Sequence, residues 1–357
     1  MKKFKIAIDF YSIRNRNVGV GEVSYKLAEA LSGFAPELLV RGVEFYYIVP
    51  SNYVGCFGDD VKYIKGNKFR RLFIRYGFKY YDIFHAVHQF GLIKFIRRAS
   101  RTILTLHDVN FMYEKRGAKQ ERYKKKMGGR IKSADEIVLI SEFVSDDVKR
   151  FYPEIEYKSS VIYNGVTDLT SIACTSKTEF LDSGYLLHIS SLQPKKNPEL
   201  LIRMMQYLPN ERLIMVGNWG SAYGYSLKGV IKELGLNNVV TMQHVDNETK
   251  ALLYANCKAF LFPSLCEGFG LPPLEAMKFG KPVFLSDLTS LPEVGGECAY
   301  YWSQLKPDIM ADVFYAGMKD WERNGSSDAV EEWSRRFTWE RCAKSYVSLY
   351  LKILGLE

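Results

Sequence analysis

Several things that this sequence lacks narrow what it can be. No apolar run among its 357 residues approaches the ~20 uncharged residues of a membrane-spanning helix. The start Met1-Lys2-Lys3 is basic, but Asp9 breaks the short apolar run behind it, so no secretory signal peptide is expected. The six cysteines, Cys56, Cys174, Cys257, Cys266, Cys298 and Cys342, include no CxxC pair, and the five histidines show no close ligand spacing. Those gaps argue against a disulfide or zinc framework and for reduced thiols in a cytoplasmic protein. There is no short internal repeat and no low-complexity tract. The net charge is +9, yet no RNA- or DNA-binding fold motif accompanies it, so nucleic acid is not an expected partner.

What is present reads as two parallel α/β domains. The chain exceeds the usual size of a single core, and 47% hydrophobic residues suffice for two. Short apolar segments at 4–10, 45–49, 82–86, 102–106 and 136–140 read as buried strands separated by helical or polar stretches, the order of a doubly wound sheet. The polar stretch 167–184 reads as a linker, after which the pattern restarts with strands at 185–189, 213–217 and 239–242. The positive charge belongs to the first half: residues 1–166 carry 30 Lys+Arg against 18 Asp+Glu, a net +12, and the remainder is −3. Much of it lies in 69–81 and 94–98, where bases alternate with aromatic rings. Such a mixture suits an anionic membrane surface or a phosphate-bearing acceptor, and a solvated helix face reads equally well. The lysine-rich segment 115–132 reads as a solvated face with no site.

The most informative stretch runs from Ala259 to Ala299. An apolar strand at 259–262 ends at Pro263, the loop Glu267-Gly268-Phe269-Gly270-Leu271 follows, and Pro272-Pro273 open a short helix that Gly280 closes. A second buried strand follows at 282–286. Such a unit aims free N–H groups and a positive dipole end at a ligand above the sheet, which suits phosphate or sugar hydroxyls. Two carboxylates bracket the loop, Glu267 before it and Glu275, read as lying in the first helical turn, with seven residues between them. Taken singly, each could be a solvated loop acid or a dipole-favoured first-turn residue.

Taken together, EGFGLPPLEA resembles the Glu-x7-Glu signature of family 4 retaining glycosyltransferases of the GT-B fold. The likeness extends through Pro282-Val283 and Ser290-Leu291-Pro292-Glu293-Val294. It implies two Rossmann-like doubly wound domains facing across a cleft. Residues 1–170 would form the acceptor-side domain and 171–335 the donor-binding domain, with a C-terminal helix in 336–357 crossing back to the first. Asn164-Gly165-Val166 is similar to the ending of the family's first domain. The activity implied is transfer of a hexose, most typically mannose, from GDP- or UDP-sugar to a glycan or lipid-linked acceptor in cell-surface polysaccharide synthesis, with retention of configuration. The location implied is cytoplasmic, peripheral on the inner face of the membrane.

The resemblance also assigns residues. Glu267, His107 and Lys196 carry the reaction: Glu267 orients the donor sugar, His107 at a strand end contacts it, and Lys196 meets the diphosphate. The adjacent Lys195 and Lys196 could otherwise be two exposed bases. Donor binding falls to Gly19, Gly21, Ser191, Val245, Gly268, Phe269, Gly270, Leu271 and Glu275, the last accepting from ribose hydroxyls. Ser190 and Ser191 stand where the family has glycine and arginine or threonine, so no arginine partner for Lys196 is visible. No DxD acid pair is present to hold a metal on the diphosphate, and no cofactor or metal is expected. A GT-B nucleotide-sugar epimerase is the alternative.

Overall fold

The computed structural model describes residues 3–15, 19–67, 69, 71–77, 79–172 and 184–357. Most of the expected linker, together with Cys174, lies outside them. The chain divides into two compact units, residues 1–165 with 337–357, and residues 166–336.

The first unit holds a seven-stranded parallel sheet of β1 (Phe4–Asp9), β2 (Val43–Val49), β3 (Val61–Lys65), β4 (Tyr81–Ala86), β5 (Ala99–Leu106), β6 (Glu136–Leu139) and β7 (Ser159–Val161). Its spatial order is β3-β2-β1-β4-β5-β6-β7, with Ile6 of β1 between Phe45 and Ile83 of its neighbours. The strands at the sheet centre are apolar on both faces because helices cover both. In β2, VEFYYIV, every residue is buried. Two strands of this sheet went unread in the sequence, β3 and β7. They lie at the sheet edges, and their mixed polar character, VKYIK and SSV, follows from burying less.

Two helices end the chain. Ser327–Ser334 belongs to the second unit, and Trp339–Leu354 starts afresh at Thr338, whose side chain accepts from the Arg341 N–H. The later helix buries Cys342, Ala343, Tyr346, Val347, Tyr350 and Leu351, a stripe that joins the core built on β1, β2 and β4. Polar groups lock it there. Tyr350 Oη lies 2.6 Å from His85 Nδ1, His85 Nε2 lies 2.8 Å from Thr105 Oγ1, and Thr105 lies 2.9 Å from Tyr346 Oη. Gly165, in the Asn-Gly-Val motif, is where the chain passes beneath this helix start. A Cβ there would land on the backbone of Thr338 and Trp339.

The second unit carries β8 (Tyr185–Ile189), β9 (Leu213–Val216), β10 (Val239–Met242), β11 (Cys257–Phe262), β12 (Val283–Ser286) and β13 (Ala299–Trp302), all parallel in the order β10-β9-β8-β11-β12-β13. Trp219, Trp302, Phe284 and Phe314 fill its core. Order reverses at β8, between β9 and β11, so a topological switch point lies beside the carboxyl ends of β8 and β11. The lysine turn and the Glu267 loop both leave the sheet there.

Candidate active site

The turn after β8 is shaped by hydrogen bonds around Ser190. The Leu192 N–H donates to Ser190 Oγ at 3.1 Å, and Ser190 Oγ lies 2.9 Å from His188 Nε2. His188 Nδ1 donates to the Leu261 carbonyl at 2.8 Å, which fixes Nε2 as the acceptor for the Ser190 hydroxyl. Burial, with the Lys196 charge adding to it, pushes the His188 pKa down to about 4, so the ring stays neutral in this chain of donors. Leu192 is thereby held at φ 48°, and the Ser190 carbonyl and the Leu192 side chain lie so close to Gly217 that no Cβ fits there. The serine that departs from the family's glycine thus has a structural task.

Past this turn a short 3-10 helix, Pro194–Lys196, and Asn197 at φ 53° lead into the helix Pro198–Met204. The turn is tied to the loop after β11: Lys195 O accepts from the Leu265 N–H at 2.7 Å and from Ser264 Oγ at 3.1 Å. These bonds bring Lys196 onto Glu267, and the two form an ion pair with side chains only 16% and 11% exposed. Lys196 Nζ also lies 5.5 Å from the Phe262 ring centroid.

The glycine loop is fastened from the other side. The Glu267 N–H donates to Thr289 Oγ1 at 3.1 Å, and buried Ser290 Oγ donates to the Phe269 carbonyl at 2.7 Å. Gly270 adopts φ 121°, a conformation reserved for glycine, just before the helix Leu271–Lys278. Pro272 and Pro273 have no N–H, so the first turn of that helix donates only through Leu271 and Leu274. Phe269 is buried, Ser191 is exposed in the lysine turn, and Val245 is half-buried ahead of the helix Asn247–Asn256.

Glu275 sits one turn further into its helix than the sequence suggests, as the fifth residue, so a first-turn role at the dipole end is ruled out. It is 8% exposed and already engaged. Lys250 Nζ lies 2.6 Å from its carboxylate, and Tyr254 Oη donates to it at 2.8 Å. Burial and the Glu275 charge raise the Tyr254 pKa well above its ordinary value, so the phenol keeps the proton it donates. A carboxylate offers about four acceptor positions, which leaves Glu275 room for further donors. Sequence reading missed Lys250 and Tyr254, though their i, i+4 spacing on one helix was the signal available.

The remaining assigned residues lie in the first unit. Gly19 opens the helix Gly19–Ser32 and buried Gly21 lies in its first turn, so both are inside the helix and not in the loop before it. His107 is buried at the end of β5. Its Nε2 donates to the Val87 carbonyl at 2.8 Å, and its backbone N–H donates to Gln89 Oε1 at 3.0 Å. Burial lowers its pKa, against the raising effects of Val87 and Asp108, so it is a neutral ring with Nδ1 as acceptor.

At the same sheet end is a cavity of about 520 Å³ lined by Tyr11, Arg14, His88, Phe90 and Lys126, among others. The lysine-rich helix Gly117–Ile131 contributes Lys126 to that lining. Asp9 organises this end of the sheet. Its carboxylate accepts from the Tyr11 N–H at 3.2 Å and the Ile93 N–H at 2.9 Å, and burial pushes its pKa up to about 6. Among the described residues no three His, Cys, Asp or Glu side chains cluster as metal ligands would, and no helix is long and apolar enough to cross a membrane.

Comparison with known proteins bears on both units. Residues 26–168 match the family model described as Glycosyltransferase Family 4, and residues 175–298 match Glycosyl transferases group 1. The O-antigen chain mannosyltransferase B of Escherichia coli is 28% identical over 286 residues, covering 71% of each chain. Among solved structures, a glycosyltransferase from Rickettsia africae superposes with a TM-score of 0.76 at 16% identity, covering 100% of both chains. The Anabaena protein HepE, solved in complex with UDP and glucose, gives 0.70 at 18% identity, covering 98% of this chain and 100% of its own. These likenesses establish the GT-B fold and lend nothing to the epimerase alternative.

Proposed function

Because this chain belongs to the group 1, family 4 glycosyltransferases and uses a nucleotide-sugar donor, we propose that it transfers a hexose, mannose by analogy with its O-antigen relatives, to a growing cell-surface polysaccharide with retention of configuration. The observation that carries the reading is the Lys196–Glu267 pair set against the glycine loop at the switch point of the second sheet. Breaking the bond between the sugar carbon and the diphosphate leaves positive charge on the sugar and negative charge on the leaving group. Lys196 has two donors beyond the one that meets Glu267, and they would stabilise the diphosphate. Glu267, held by Thr289 and Lys196, would orient the sugar hydroxyls. Gly268, Phe269, Gly270 and Leu271 would offer backbone N–H groups, Glu275 would accept from ribose, and Ser191 and Val245 would line the nucleotide. His107, with Gly19 and Gly21, would serve the sugar and acceptor from the first unit.

In this reading no metal takes part, because a lysine fills the place of the cation. Initial rates with and without EDTA test it, and loss of activity restored by magnesium or manganese would refute it. A thermal-shift screen of GDP- and UDP-sugars tests the donor: the true donor raises the melting temperature, and no shift with any of them sinks the reading.

The protein would work in the cytoplasm, peripheral on the inner face of an anionic membrane. Supporting this, Phe69 and Phe73 are 90% and 80% exposed, Leu72 and Tyr76 are exposed beside them, and Arg75 lies in the same basic stretch, with Arg97 and Arg98 in the second one. Co-sedimentation with anionic and neutral vesicles at low salt is the check, and equal binding to both counts against it.

A further inference from the structure

The second unit has a cavity at the end of its sheet away from the glycine loop. The helix Leu271–Lys278 joins the parallel strands β11 and β12, so the loop at its start sits at their carboxyl ends and its last residue, about 10 Å further along, lies at their amino ends. Lys278 and Phe279 line a space of about 360 Å³ there, together with Asp168, Thr170, Glu331 and Arg335, all within residues 166–336. That volume falls in the range of small-molecule sites, roughly 300–1,000 Å³. Doubly wound sheets bind nucleotides at the carboxyl ends of their strands, so this space is separate from the Lys196–Glu267 site.

Lys278 is the anomaly in it. The residue is only 7% exposed, yet among the described residues its ammonium has no hydrogen-bond or ion-pair partner. Burial lowers its pKa, and Asp168 opposes that shift from beyond ion-pair distance. Burying an ammonium without partners costs free energy, a local inconsistency of the kind that functional sites carry. The other charges are better served. Arg335 lies 2.8 Å from Glu332 and 3.7 Å from Glu331. Asp168 Oδ1 accepts from the Thr170 N–H at 2.9 Å and from Thr170 Oγ1 at 2.6 Å, and among the described residues no donor meets Oδ2. The unfilled capacity is therefore the donors of one ammonium and an acceptor oxygen, beside the half-buried ring of Phe279.

Charge decides the class of ligand. An anion would meet Lys278 but also Asp168, Glu331 and the carboxyl ends of the helices Asn247–Asn256, Leu271–Lys278 and Ser327–Ser334, which reach the cavity at Ala255, Lys278 and Ser334 and carry partial negative charge. A cation would meet Lys278 and Arg335. A hydroxyl escapes both objections, because it accepts from an ammonium and donates to a carboxylate at once. A sugar ring supplies several such hydroxyls and an apolar face for an aromatic side chain.

We propose that this cavity binds a neutral hexose unit of a saccharide, with Lys278 and Asp168 on its hydroxyls and Phe279 against its ring. The protein then holds saccharide at a second place, apart from the site of transfer. That the saccharide is the growing polysaccharide rests on the glycosyltransferase reading; the hexose site itself does not.

The test is a titration of methyl α-mannopyranoside against the full chain, followed by saturation-transfer NMR and repeated with saturating GDP or UDP and with inorganic phosphate as the charged competitor. The mannoside binds, neither nucleotide displaces it, and phosphate competes poorly. Lys278→Met and Asp168→Asn each weaken it by about tenfold, as expected for the loss of one charge-assisted hydrogen bond. Asp168 is exposed, so its variant does not put the fold at stake. Lys278→Met melts at or above the parental temperature, since a methionine replaces a buried charge that has no partner, whereas a merely structural lysine would leave a variant that melts lower. No mannoside signal, or parental affinity in both variants, overturns the site. Displacement by GDP or UDP assigns the signal to the Lys196–Glu267 site and overturns a second one. Phosphate that displaces the mannoside from the parent overturns the neutral class and points to an anion site. The nucleotide-sugar thermal shift of the parent decides the glycosyltransferase reading on its own, because it does not involve these variants.

Discussion

A carboxylate and an ammonium paired with little access to water constrain each other, and removing one strands the other. Lys196→Ala should therefore reduce turnover on the order of 100-fold, as loss of an electrostatic donor does. Glu267→Gln should lower turnover at saturating donor, while Glu275→Gln, which removes the charge opposite Lys250, should chiefly raise the donor KM. Steady-state kinetics of the three variants check this, and parental turnover in Glu267→Gln would remove that acid from the reaction. His188 carries a pH signature. Its folded pKa of about 4 lies below the unfolded 6.5, so its contribution is fully present above pH 6.5 and is lost as pH falls through 4. Relative to His188→Gln, the parent should lose up to about 3 kcal/mol over that window. Urea melts followed by tryptophan fluorescence report it, because four of the five tryptophans lie in the second unit. At this scale the sequence revealed residues whose spacing is local, such as Glu267 and Glu275. Lys250 on Glu275, Thr289 under the Glu267 N–H and Asp9 beneath two loops were hidden, because the contacts that define them join segments that only the fold brings together.

Among the elements, the glycine loop is unusual in drawing its rigidity from side-chain hydroxyls outside it. Ser290 Oγ and Thr289 Oγ1 hold it from the loop after β12, and Ser286 Oγ donates to the Ser264 carbonyl at 2.5 Å on the near side. Ser290→Ala removes the hydroxyl that donates to the Phe269 carbonyl, at a cost of about 1 kcal/mol. The expected result is a lower melting temperature and a raised donor KM, and an unchanged KM would show that the loop needs no staple. Gly165→Ala is a harsher change, because a Cβ there meets backbone and not a flexible side chain. Expression with loss of soluble, cooperatively melting protein is expected, and a melting temperature within 2–3 °C of the parent, the shift of about 1 kcal/mol in a chain this size, would contradict the close packing. Interior strands and the strand–loop–helix unit could be read from hydrophobic runs and turn residues. Edge strands β3, β7 and β13 could not, since these edges bury too little to leave a clear run.

For the molecule as a whole, the first unit is assembled from two separated parts of the chain. Tyr350→Phe removes the hydroxyl that meets His85 Nδ1 in a fully buried setting and should destabilise that unit by about 1–3 kcal/mol. Donor affinity, a property of the second unit, should not move; a calorimetric scan with a donor titration checks both. The arrangement also governs how the protein is made. Residues 1–165 leave the ribosome with the groove for Tyr346 and Tyr350 open, and the helix that fills it is not synthesised until the whole second unit has been translated. At about 5–20 residues per second that delay is roughly 10–40 s. For this interval the nascent half displays apolar surface to chaperones and to neighbouring chains, and a premature stop near the end of the message would cripple the half of the protein that was made first.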